Sequence, residues 1–575
     1  MRDAATNLPS PRTGSGVHRA ARGWPEARTT PLTAEWTPDQ VRSDAWGERP
    51  RTSHQWYSKA PRMIAAVSRR PALTALLLGA VAATGFAPLQ WWPLTLLGLA
   101  GLAALVQAAP TGRRVAWFGW CWGVGHFTIN NNWFQHAFDF QDKMPPVLGY
   151  FAAVGLALYL AVFPMLASLV GWRFRGRDGV DAAFAFVFAA AWIGSEYLRA
   201  TLFTGYAWDP IGVIWVPVIG IARLSAWIGT YALSGVTVLF AVALLMAVRR
   251  HWRLAAGLAV VLSGAALSAL WTHAPSAAPD APIPRIVQPN IGNDVRGENA
   301  GDYALATLLR GTRHPGGPPR LVLWPEGLLR DLLESGYPYW IYGDRPPSWT
   351  RRRIAAALRP GDILMTSADT LSFDARGEVS GAANSVLAID SVGRIVGRYD
   401  KAHLVPYGEY LPMPWLLRPL GLARLVPGDM DFTPGPGPRT LSLPGFGDIG
   451  VQVCYETIFS GELIEPGHRP RLLFNPSNDA WFGSWGSPQF LAQTRMRAIE
   501  EGLPIVRATP TGISAVIAAD GRLVATIPHE RAGVVEVRMP PALPPTLFSR
   551  LGNWAALVVA FSFLVAAIAN RRSAR

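Results

Sequence analysis

Three side chains able to do chemistry stand at or just beyond the ends of short apolar runs. Glu326 closes the run Leu-Val-Leu-Trp-Pro-Glu, Cys454 follows Val-Gln-Val, and Lys401 follows Tyr-Asp at the end of a predicted hairpin. A carboxylate just past a buried strand is desolvated, which raises its pKa and makes it a usable base. A thiol on a sharp turn at a strand end is exposed at the sheet edge, near backbone N–H groups that hold an oxyanion. These residue types therefore favour nucleophilic catalysis.

Lys401 is unusual because the chain has only three lysines against fifty arginines. A lysine is required where a compact ammonium or a short reach is needed. The segment that begins with it, residues 401–412, also supplies a second carboxylate, Glu409. Each residue alone has an ordinary explanation, since most glutamates and lysines lie at the surface and a lone cysteine is usually a small buried hydrophobe. The combination, not any single residue, indicates an active site.

The composition excludes a single ordinary soluble domain. The 575 residues are 50% hydrophobic and only 16% charged, and the apolar residues form runs long enough to cross a bilayer. The net charge of +14 does not predict nucleic-acid binding, because much of the positive charge flanks those apolar runs. Cys121 and Cys454 lie far apart in different kinds of segment, so they form neither a disulfide framework nor a zinc cluster.

The apolar runs predict a multi-pass membrane protein. Residues 63–272 contain seven predicted spanning helices and residues 551–569 an eighth. Arginines gather in alternate connections, so the positive-inside rule places both termini in the cytoplasm and the segment before the eighth span on the far side. Residues 1–62 are polar, and we expect a disordered, dispensable extension. The first seven spans are predicted at residues 71–89, 92–109, 115–134, 145–172, 182–198, 226–248 and 254–271.

Residues 283–545 form a block of ordinary domain size between the seventh and eighth predicted spans. Short, continuously apolar runs in this block are typical of strands buried on both faces of a sheet, and the helical stretches between them indicate layered α/β packing. The strands are predicted at residues 285–287, 321–323, 363–365, 449–453 and 472–474, the helices at 303–310, 351–358 and 490–501, and two hairpins within 385–399 and 514–527.

Glu326, Lys401 and Cys454 occur in Trp-Pro-Glu, Tyr-Asp-Lys and Cys-Tyr-Glu settings, in that order. This arrangement resembles the Glu-Lys-Cys triad of the nitrilase superfamily of carbon–nitrogen hydrolases. The resemblance implies a four-layer α-β-β-α sandwich for residues 283–545. The expected fold is therefore a multi-pass α-helical membrane domain of eight spans plus a nitrilase-like α/β sandwich.

Residues 401–412 and the run Phe-Asn-Pro-Ser-Asn-Asp-Ala-Trp-Phe-Gly at 474–483 resemble one membrane branch of that superfamily, the apolipoprotein N-acyltransferases. The chain departs from the family outside the triad, where Phe490 replaces a usual His, Leu503 a usual Arg and Pro510 a usual Asn. Further matching stretches lie at residues 288–291, 384–385, 497–500, 511–514, 85–88 and 204–208, with Glu196 and Arg199 in the membrane half.

The resemblance implies an acyl transfer in two steps at the outer face of a bacterial cytoplasmic (inner) membrane, the last step of lipoprotein maturation. Glu326 takes the proton of Cys454, the thiolate attacks an ester carbonyl of a phospholipid, and Lys401 stabilises the oxyanion. The α-amine of a diacylglyceryl-cysteine at a lipoprotein N-terminus then attacks the resulting thioester. A thioester suits that step because it reacts readily with an amine.

Four further residues receive supporting roles, the first three from the resemblance and the fourth from the membrane topology. Glu409 is expected to hold Lys401 and balance its charge, Tyr455 and Glu456 to shape the substrate pocket, and Trp481 to lie in an apolar loop that dips into the bilayer as an arm or lid. The expected partners are a phospholipid acyl donor, a diacylglyceryl apolipoprotein acceptor and the lipid bilayer. No nucleic acid, metal or organic cofactor is implied, and we expect a monomer because all the parts lie on one chain.

Two other functions stay open at this point. A membrane-tethered amidase or nitrilase would use the same triad with water in place of the amine, although tethering needs far fewer than seven preceding spans. A transporter with a large external sensor domain is the other alternative. It is disfavoured because intramembrane ionisable residues, which pathways for polar solutes usually need, are few.

Overall fold

A computed structural model of the chain describes residues 70–140, 145–176, 180–272, 276–295, 299–421, 424 and 430–573. The extension predicted at residues 1–62 lies outside these residues. The described residues belong to one unit of the chain, Arg62–Arg575.

Residues 70–272, here called the helical part, form nine α-helices within the described ranges. Proline occupies the first turn of α1 and α2, where its missing N–H costs nothing. The Asp181 side chain accepts a 2.7 Å hydrogen bond from the Phe184 N–H and caps α6. The helices are α1 Pro71–Ala83, α2 Trp92–Ala108, α3 Gly112–Asn130, α4 Leu148–Leu160, α5 Val162–Arg173, α6 Ala182–Thr201, α7 Ile219–Ala222, α8 Ser225–Val248 and α9 Arg253–Trp271.

Four helices in the described ranges are long and apolar enough to cross a membrane: Leu148–Arg173, which joins α4 and α5, Ser225–Val248, Arg253–Trp271 and Trp554–Arg572. The apolar helices α1 and α2 are shorter than that limit. The predicted eight spans are therefore not confirmed in full.

Residues 284–536, here called the α/β part, contain two six-stranded mixed sheets. The first sheet has the strand order β12-β1-β2-β3-β4-β5 and the second β11-β10-β9-β8-β7-β6. In each sheet three consecutive strands, β1–β3 or β7–β9, run parallel, and all other neighbouring strands pair antiparallel. The strands are β1 Pro284–Gln288, β2 Leu321–Leu323, β3 Ile363–Phe373, β4 Val379–Asp390, β5 Ile395–Asp400, β6 Arg439–Leu443, β7 Gly447–Val451, β8 Leu472–Pro476, β9 Ile505–Ala508, β10 Ser514–Ile517, β11 Leu523–Ile527 and β12 Gly533–Glu536.

The two sheets pack face to face over a shared apolar core, to which Leu323 and Met365 of one sheet and Val451 and Phe474 of the other contribute. Helices α10 (Ala300–Thr312) and α11 (Pro347–Ala355) cover the outer face of the first sheet, and α13 (Gly483–Glu501) covers that of the second. Helix α12 (Pro414–Leu417) is a single turn between β5 and β6. This arrangement stacks helices, sheet, sheet and helix.

Each predicted strand and both hairpins occur in the structure, because continuous apolar runs are buried on both faces of these sheets. Two helices differ from their predictions. Helix α11 spans Pro347–Ala355 instead of residues 351–358, since a proline fits the first turn of a helix. For α13 the predicted start is Phe490, whereas the helix begins at Gly483 and includes Pro488 in its second turn. A proline inside a helix removes one backbone hydrogen-bond donor. The helix forms nevertheless, because most of its residues after Pro488 are buried against the rest of the protein.

The loop that follows α6 docks the helical part onto α13. The Trp208 indole donates to Gln489 Oε1 over 2.9 Å, and the Asp209 N–H donates to Gln493 Oε1 over 3.0 Å. Gln489 Nε2 in turn donates to the Asn130 carbonyl over 3.0 Å. Helices α14 (Leu547–Leu551) and α15 (Trp554–Ser573) complete the chain.

Candidate active site

Cys454 lies on a sharp turn three residues beyond the end of β7. Its backbone has φ of +48°, a left-handed conformation that non-glycine residues rarely adopt. A short 3-10 helix, Cys454–Ile458, begins at this residue, and the Val453 N–H donates to Glu456 Oε2 over 2.6 Å. The turn thus fixes the direction of the thiol at the carboxyl edge of the second sheet.

Glu326 follows β2 after a Trp-Pro pair and is 7% exposed. Its Oε1 accepts a 2.7 Å hydrogen bond from Asn384 Nδ2 and lies 3.6 Å from Lys401 Nζ. Its Oε2 accepts a 2.9 Å hydrogen bond from the Asn478 N–H. Both oxygens are therefore held by donors, so the carboxylate keeps one orientation.

Lys401 comes directly after β5 and is 1% exposed. Its ammonium donates to Glu409 Oε1 over 2.9 Å, and Glu409 Oε2 accepts from the Val405 N–H over 2.8 Å. Burial lowers the pKa of Lys401, but the carboxylates of Glu409 and Glu326 raise it by more, so it ends above its ordinary value. The site therefore holds a permanent buried positive charge between two carboxylates.

The thiol is held in its neutral form at rest. Burial raises the pKa of Cys454, the Glu326 carboxylate raises it further, and the Lys401 ammonium opposes both. Both charges act on the thiol, and Lys401 Nζ lies 3.6 Å from Glu326 Oε1, so the structure places the three predicted residues in one site. Because the resting thiol is protonated, the sulfur needs a base before it can attack a carbonyl.

Glu456 contacts main-chain atoms on both sides of the site. Its Oε1 accepts hydrogen bonds from the Tyr399 hydroxyl and from the N–H groups of Ala402 and His403, at 2.8, 2.7 and 3.0 Å. Burial raises its pKa to about 7 against the effect of these donors. Glu456 thereby ties the segment after Lys401 to the turn that carries the cysteine.

The other two predicted pocket residues lie against the helical part. The Tyr455 hydroxyl donates to the Gly205 carbonyl over 3.1 Å, and its ring packs edge-on to Phe459. Trp481 is partly buried and meets Phe140 edge-to-face at 5.8 Å between ring centroids. Both positions lie where the helical part borders the α/β part.

Sequence reasoning missed two side chains of the site. Asn384 donates to Glu326 Oε1 and, over 3.1 Å, to Glu409 Oε1, so it fixes the spacing of the two carboxylates. The Ser477 hydroxyl lies 3.4 Å from Cys454 Sγ. Both belong to stretches that resemble the family, residues 384–385 and 474–483. The signal in the sequence that could have found them is a polar side chain on, or directly after, an otherwise apolar strand.

Of the three departures from the family pattern, Phe490 packs in the same apolar core as Cys454. Its wholly buried ring packs against Trp208 and Phe482, with both pairs of ring centroids 5.4 Å apart, and the Arg507 guanidinium lies 4.0 Å from its centroid. An aromatic ring at this position forms a cation–π contact. Leu503 and Pro510 are also buried. Across the described ranges, no group of three or more His, Cys, Asp or Glu side chains is placed to hold a metal ion.

Two family models match the chain. The model described as apolipoprotein N-acyltransferase N-terminal domain matches residues 78–243, and the one described as carbon-nitrogen hydrolase matches residues 320–543. The apolipoprotein N-acyltransferase of Ralstonia nicotianae is 35% identical over 529 residues, which is 87% of this chain and 93% of that protein. That of Caulobacter vibrioides is 34% identical over 508 residues, covering 85% and 92%.

Two solved structures are similar to part of the chain. The CN-hydrolase superfamily protein XC1258 from Xanthomonas campestris has a TM-score of 0.31 at 20% identity, covering 45% of this chain and 90% of its own. A glutamate-to-glutamine mutant of the amidase from Nesterenkonia sp. AN1 has a TM-score of 0.31 at 18% identity, covering 46% of this chain and 93% of its own.

Proposed function

The chain belongs to the apolipoprotein N-acyltransferase family, and from that premise we propose that it carries a fatty acyl group on Cys454 from a phospholipid to a lipoprotein N-terminus. The observation that supports the assignment of residues is the buried ammonium of Lys401, which lies between Glu326 and Glu409. The charge of this ammonium also acts on the Cys454 thiol and opposes the rise of its pKa.

In the first step Glu326 takes the proton of Cys454 while the sulfur attacks the ester carbonyl of the phospholipid. Negative charge develops on the carbonyl oxygen, and the Lys401 ammonium stabilises it, since that charge is already in place and needs no reorganisation. The proton on Glu326 then passes to the leaving alcohol. Lysophospholipid departs and a thioester is left on Cys454.

In the second step the free amine of the acceptor attacks the thioester. Glu326, again a carboxylate, accepts a proton from the attacking nitrogen, and Lys401 stabilises the second oxyanion. The carbon–sulfur bond breaks and the sulfur regains its proton from Glu326. The acceptor leaves as an amide and the enzyme returns to its starting state.

The supporting residues keep this geometry through both steps. Glu409 accepts a hydrogen bond from the Lys401 ammonium, and Asn384 donates to both Glu409 and the base Glu326, so these groups keep their positions. Glu456 accepts from the backbone of the turn that carries the sulfur and so stabilises that turn. Tyr455 and Trp481 are assigned to the substrate pocket because they lie where the helical part borders the α/β part. The alternative of a tethered amidohydrolase acting on a small amide or nitrile is not favoured by the full-length relatives.

We propose that the catalytic segment, residues 283–545, faces the extracytoplasmic side of the inner membrane between seven spans within residues 63–272 and an eighth at 551–569. Both termini then lie in the cytoplasm, and a monomer suffices. Four helices of sufficient length and apolarity and the alternate arginine clusters of the sequence support this arrangement. Both substrates are lipids, so the site has to be reachable from the bilayer.

The proposal is tested with the full chain in membranes supplied with phospholipid that carries a labelled acyl chain. We expect label on the protein that hydroxylamine removes, because hydroxylamine cleaves thioesters. Cys454→Ala should abolish this label, whereas Cys121→Ala, which removes the other cysteine, should keep it. Label that persists in Cys454→Ala, or its absence from the unaltered chain, would contradict the proposed acyl-enzyme.

A further inference from the structure

A network of hydrogen-bonded polar side chains that do not belong to the Glu-Lys-Cys triad lies beside the Cys454 sulfur, next to the end of β8. Ser477 Oγ lies 3.4 Å from Cys454 Sγ and 2.8 Å from Asp479 Oδ1. Asp479 also forms an ion pair with Arg507 and accepts a 2.6 Å hydrogen bond from the Ser487 hydroxyl. Ser477, Asp479, Arg507 and Ser487 are all wholly buried.

The Ser477 hydroxyl has one proton and two competing acceptors. A hydroxyl donates a single hydrogen bond, and both Asp479 Oδ1 and Cys454 Sγ lie within its reach. A carboxylate is a strong, charge-assisted acceptor, whereas a neutral thiol or thioester sulfur is a weak one. While the sulfur is uncharged, the proton therefore points to Asp479.

The preference changes when the sulfur becomes a thiolate. A full negative charge then stands 3.4 Å from the hydroxyl oxygen, in a buried site where electrostatic interactions are strong. Asp479 still has Arg507 and Ser487 as donors, so its carboxylate stays satisfied when Ser477 turns away. The same hydroxyl can thus donate to sulfur when sulfur is charged and release it when sulfur is neutral.

We propose that Ser477 is a switchable hydrogen-bond donor to the Cys454 sulfur, and that Asp479, held by Arg507, is the positioning residue that receives this hydrogen bond in the resting state. The interaction is stronger with thiolate character than with the resting thiol, so it lowers the barrier instead of stabilising the ground state. The inference rests on the proposed role of Cys454 as nucleophile.

The switch moves a hydrogen bond and leaves every covalent bond unchanged. The Ser477 proton stays on Ser477 oxygen throughout, and the thiol proton goes to Glu326 as in the proposed mechanism. The hydroxyl rotates toward sulfur when the thiolate forms. It rotates back to Asp479 when the thioester is complete, and toward sulfur again when the carbon–sulfur bond breaks.

The test measures the titration of Cys454 directly, without lipid or acceptor. The full chain carrying Cys121→Ala has Cys454 as its single thiol, and its alkylation by iodoacetamide is followed between about pH 7 and about pH 10. Ser477→Ala removes the donor, so its profile should shift to higher pH. The rate at about pH 8 should fall roughly 3- to 10-fold, since a higher thiolate pKa lowers the thiolate fraction more than it raises nucleophilicity.

Asp479→Asn should shift the profile in the opposite direction. A neutral amide oxygen competes weakly for the Ser477 proton, and a negative charge near the sulfur is lost, so the profile moves to lower pH. Ser477→Thr keeps the hydroxyl and should stay within about twofold of the parent. A general loosening of the site would expose the thiol and speed alkylation in Ser477→Ala and Asp479→Asn alike.

Two results would overturn the switch: an alkylation rate that stays unchanged in Ser477→Ala, or rates of Ser477→Ala and Asp479→Asn that change in the same direction. Thermal unfolding identifies a variant that does not fold. If Asp479→Asn leaves Arg507 unpaired and unfolds, the comparison of Ser477→Ala with Ser477→Thr decides alone. The proposed function is judged separately by the labelled phospholipid, so a chain that shows the shifts without forming an acyl-enzyme refutes only the function.

Discussion

At the scale of single residues, the site depends on one buried cation held between two carboxylates. Lys401 Nζ lies 2.9 Å from Glu409 and 3.6 Å from Glu326, and its side chain is 1% exposed. A compact ammonium fits this space, whereas a planar guanidinium is larger and directs its donors in a rigid fork. The chain otherwise uses arginine almost throughout, so this position demands the shape of lysine as well as its charge.

Lys401→Arg should therefore keep the positive charge and lose most of the acyl transfer. We expect a fall of about 100-fold, in the range found when one donor to a developing oxyanion is removed. The measurement is the initial rate of acyl transfer from labelled phospholipid, together with thermal unfolding. Arg394→Lys, in an exposed ion pair with Asp390, is the control. Normal turnover by Lys401→Arg would show that the charge alone suffices.

The residue types of the triad and the partner carboxylate Glu409 were predictable from sequence, whereas the support given by Asn384 was not. Glu326, Lys401 and Cys454 each follow an apolar run, so their place at strand ends could be inferred from the chain. Asn384 acts across strands, because the register of β3 against β4 places it opposite Asp369 and beside both carboxylates. Sequence alone does not give that register, and hence the hydrogen bonds of Asn384 could not be predicted.

At the scale of elements, apolar patterning predicted the strands better than the membrane spans. The strands are buried on both faces, so their apolar runs are continuous. Helices α3 and α6 bury polar residues, among them His126 and Asn130 in the first and Glu196 and Arg199 in the second. These residues face other parts of the protein and lower the mean hydropathy of their helices, and neither helix meets the criterion for a spanning segment.

The segment between β9 and β10 shows how a connection supports the site. Gly512 lies so close to Asp479 that a Cβ atom on it would overlap the Asp479 side chain. Asp479 is held in turn by Arg507 of β9. This contact gives a structural reason for glycine in the family stretch Thr-Gly-Ile-Ser at residues 511–514.

Gly512→Ala should displace Asp479, and with it the partner of the Ser477 hydroxyl. We expect a loss of stability of about 1–3 kcal/mol, typical of overpacking in a filled core, together with slower acyl transfer. Gly257→Ala is the matched control, because a Cβ at that position of α9 meets nothing within 4 Å. Equal unfolding midpoints for the two variants would contradict the close approach.

At the scale of the whole molecule, a buried ion pair joins the helical part to the α/β part. Arg497 of α13 pairs with Glu500 over 2.7 Å and donates to the Thr230 hydroxyl over 2.6 Å. Glu500 Oε1 accepts from the Thr230 N–H over 2.7 Å, and the Ser460 hydroxyl also lies 2.9 Å from this carboxylate. Thr230 belongs to α8, so the pair fixes a helix of one part against the other.

The pair should be costly to break one partner at a time. Glu500→Ala or Arg497→Ala leaves an uncompensated buried charge, which typically destabilises a protein by about 3–5 kcal/mol. Removing both partners should cost clearly less than the sum of the single changes, because no lone charge is left. Thermal unfolding of the detergent-purified chain measures all three variants, and Arg394→Ala serves as control, since an exposed pair contributes only about 0–1 kcal/mol.

Acyl transfer by the same variants tests whether this contact between the helical part and the α/β part affects the active site. Tyr455, next to the proposed nucleophile, donates to the Gly205 carbonyl of the helical part, so a shift of one part against the other moves a wall of the proposed pocket. We therefore expect the single variants to transfer acyl groups more slowly than the control even at temperatures where they stay folded. Strictly additive stability losses together with unchanged transfer would show that the ion pair neither couples its partners nor positions the site.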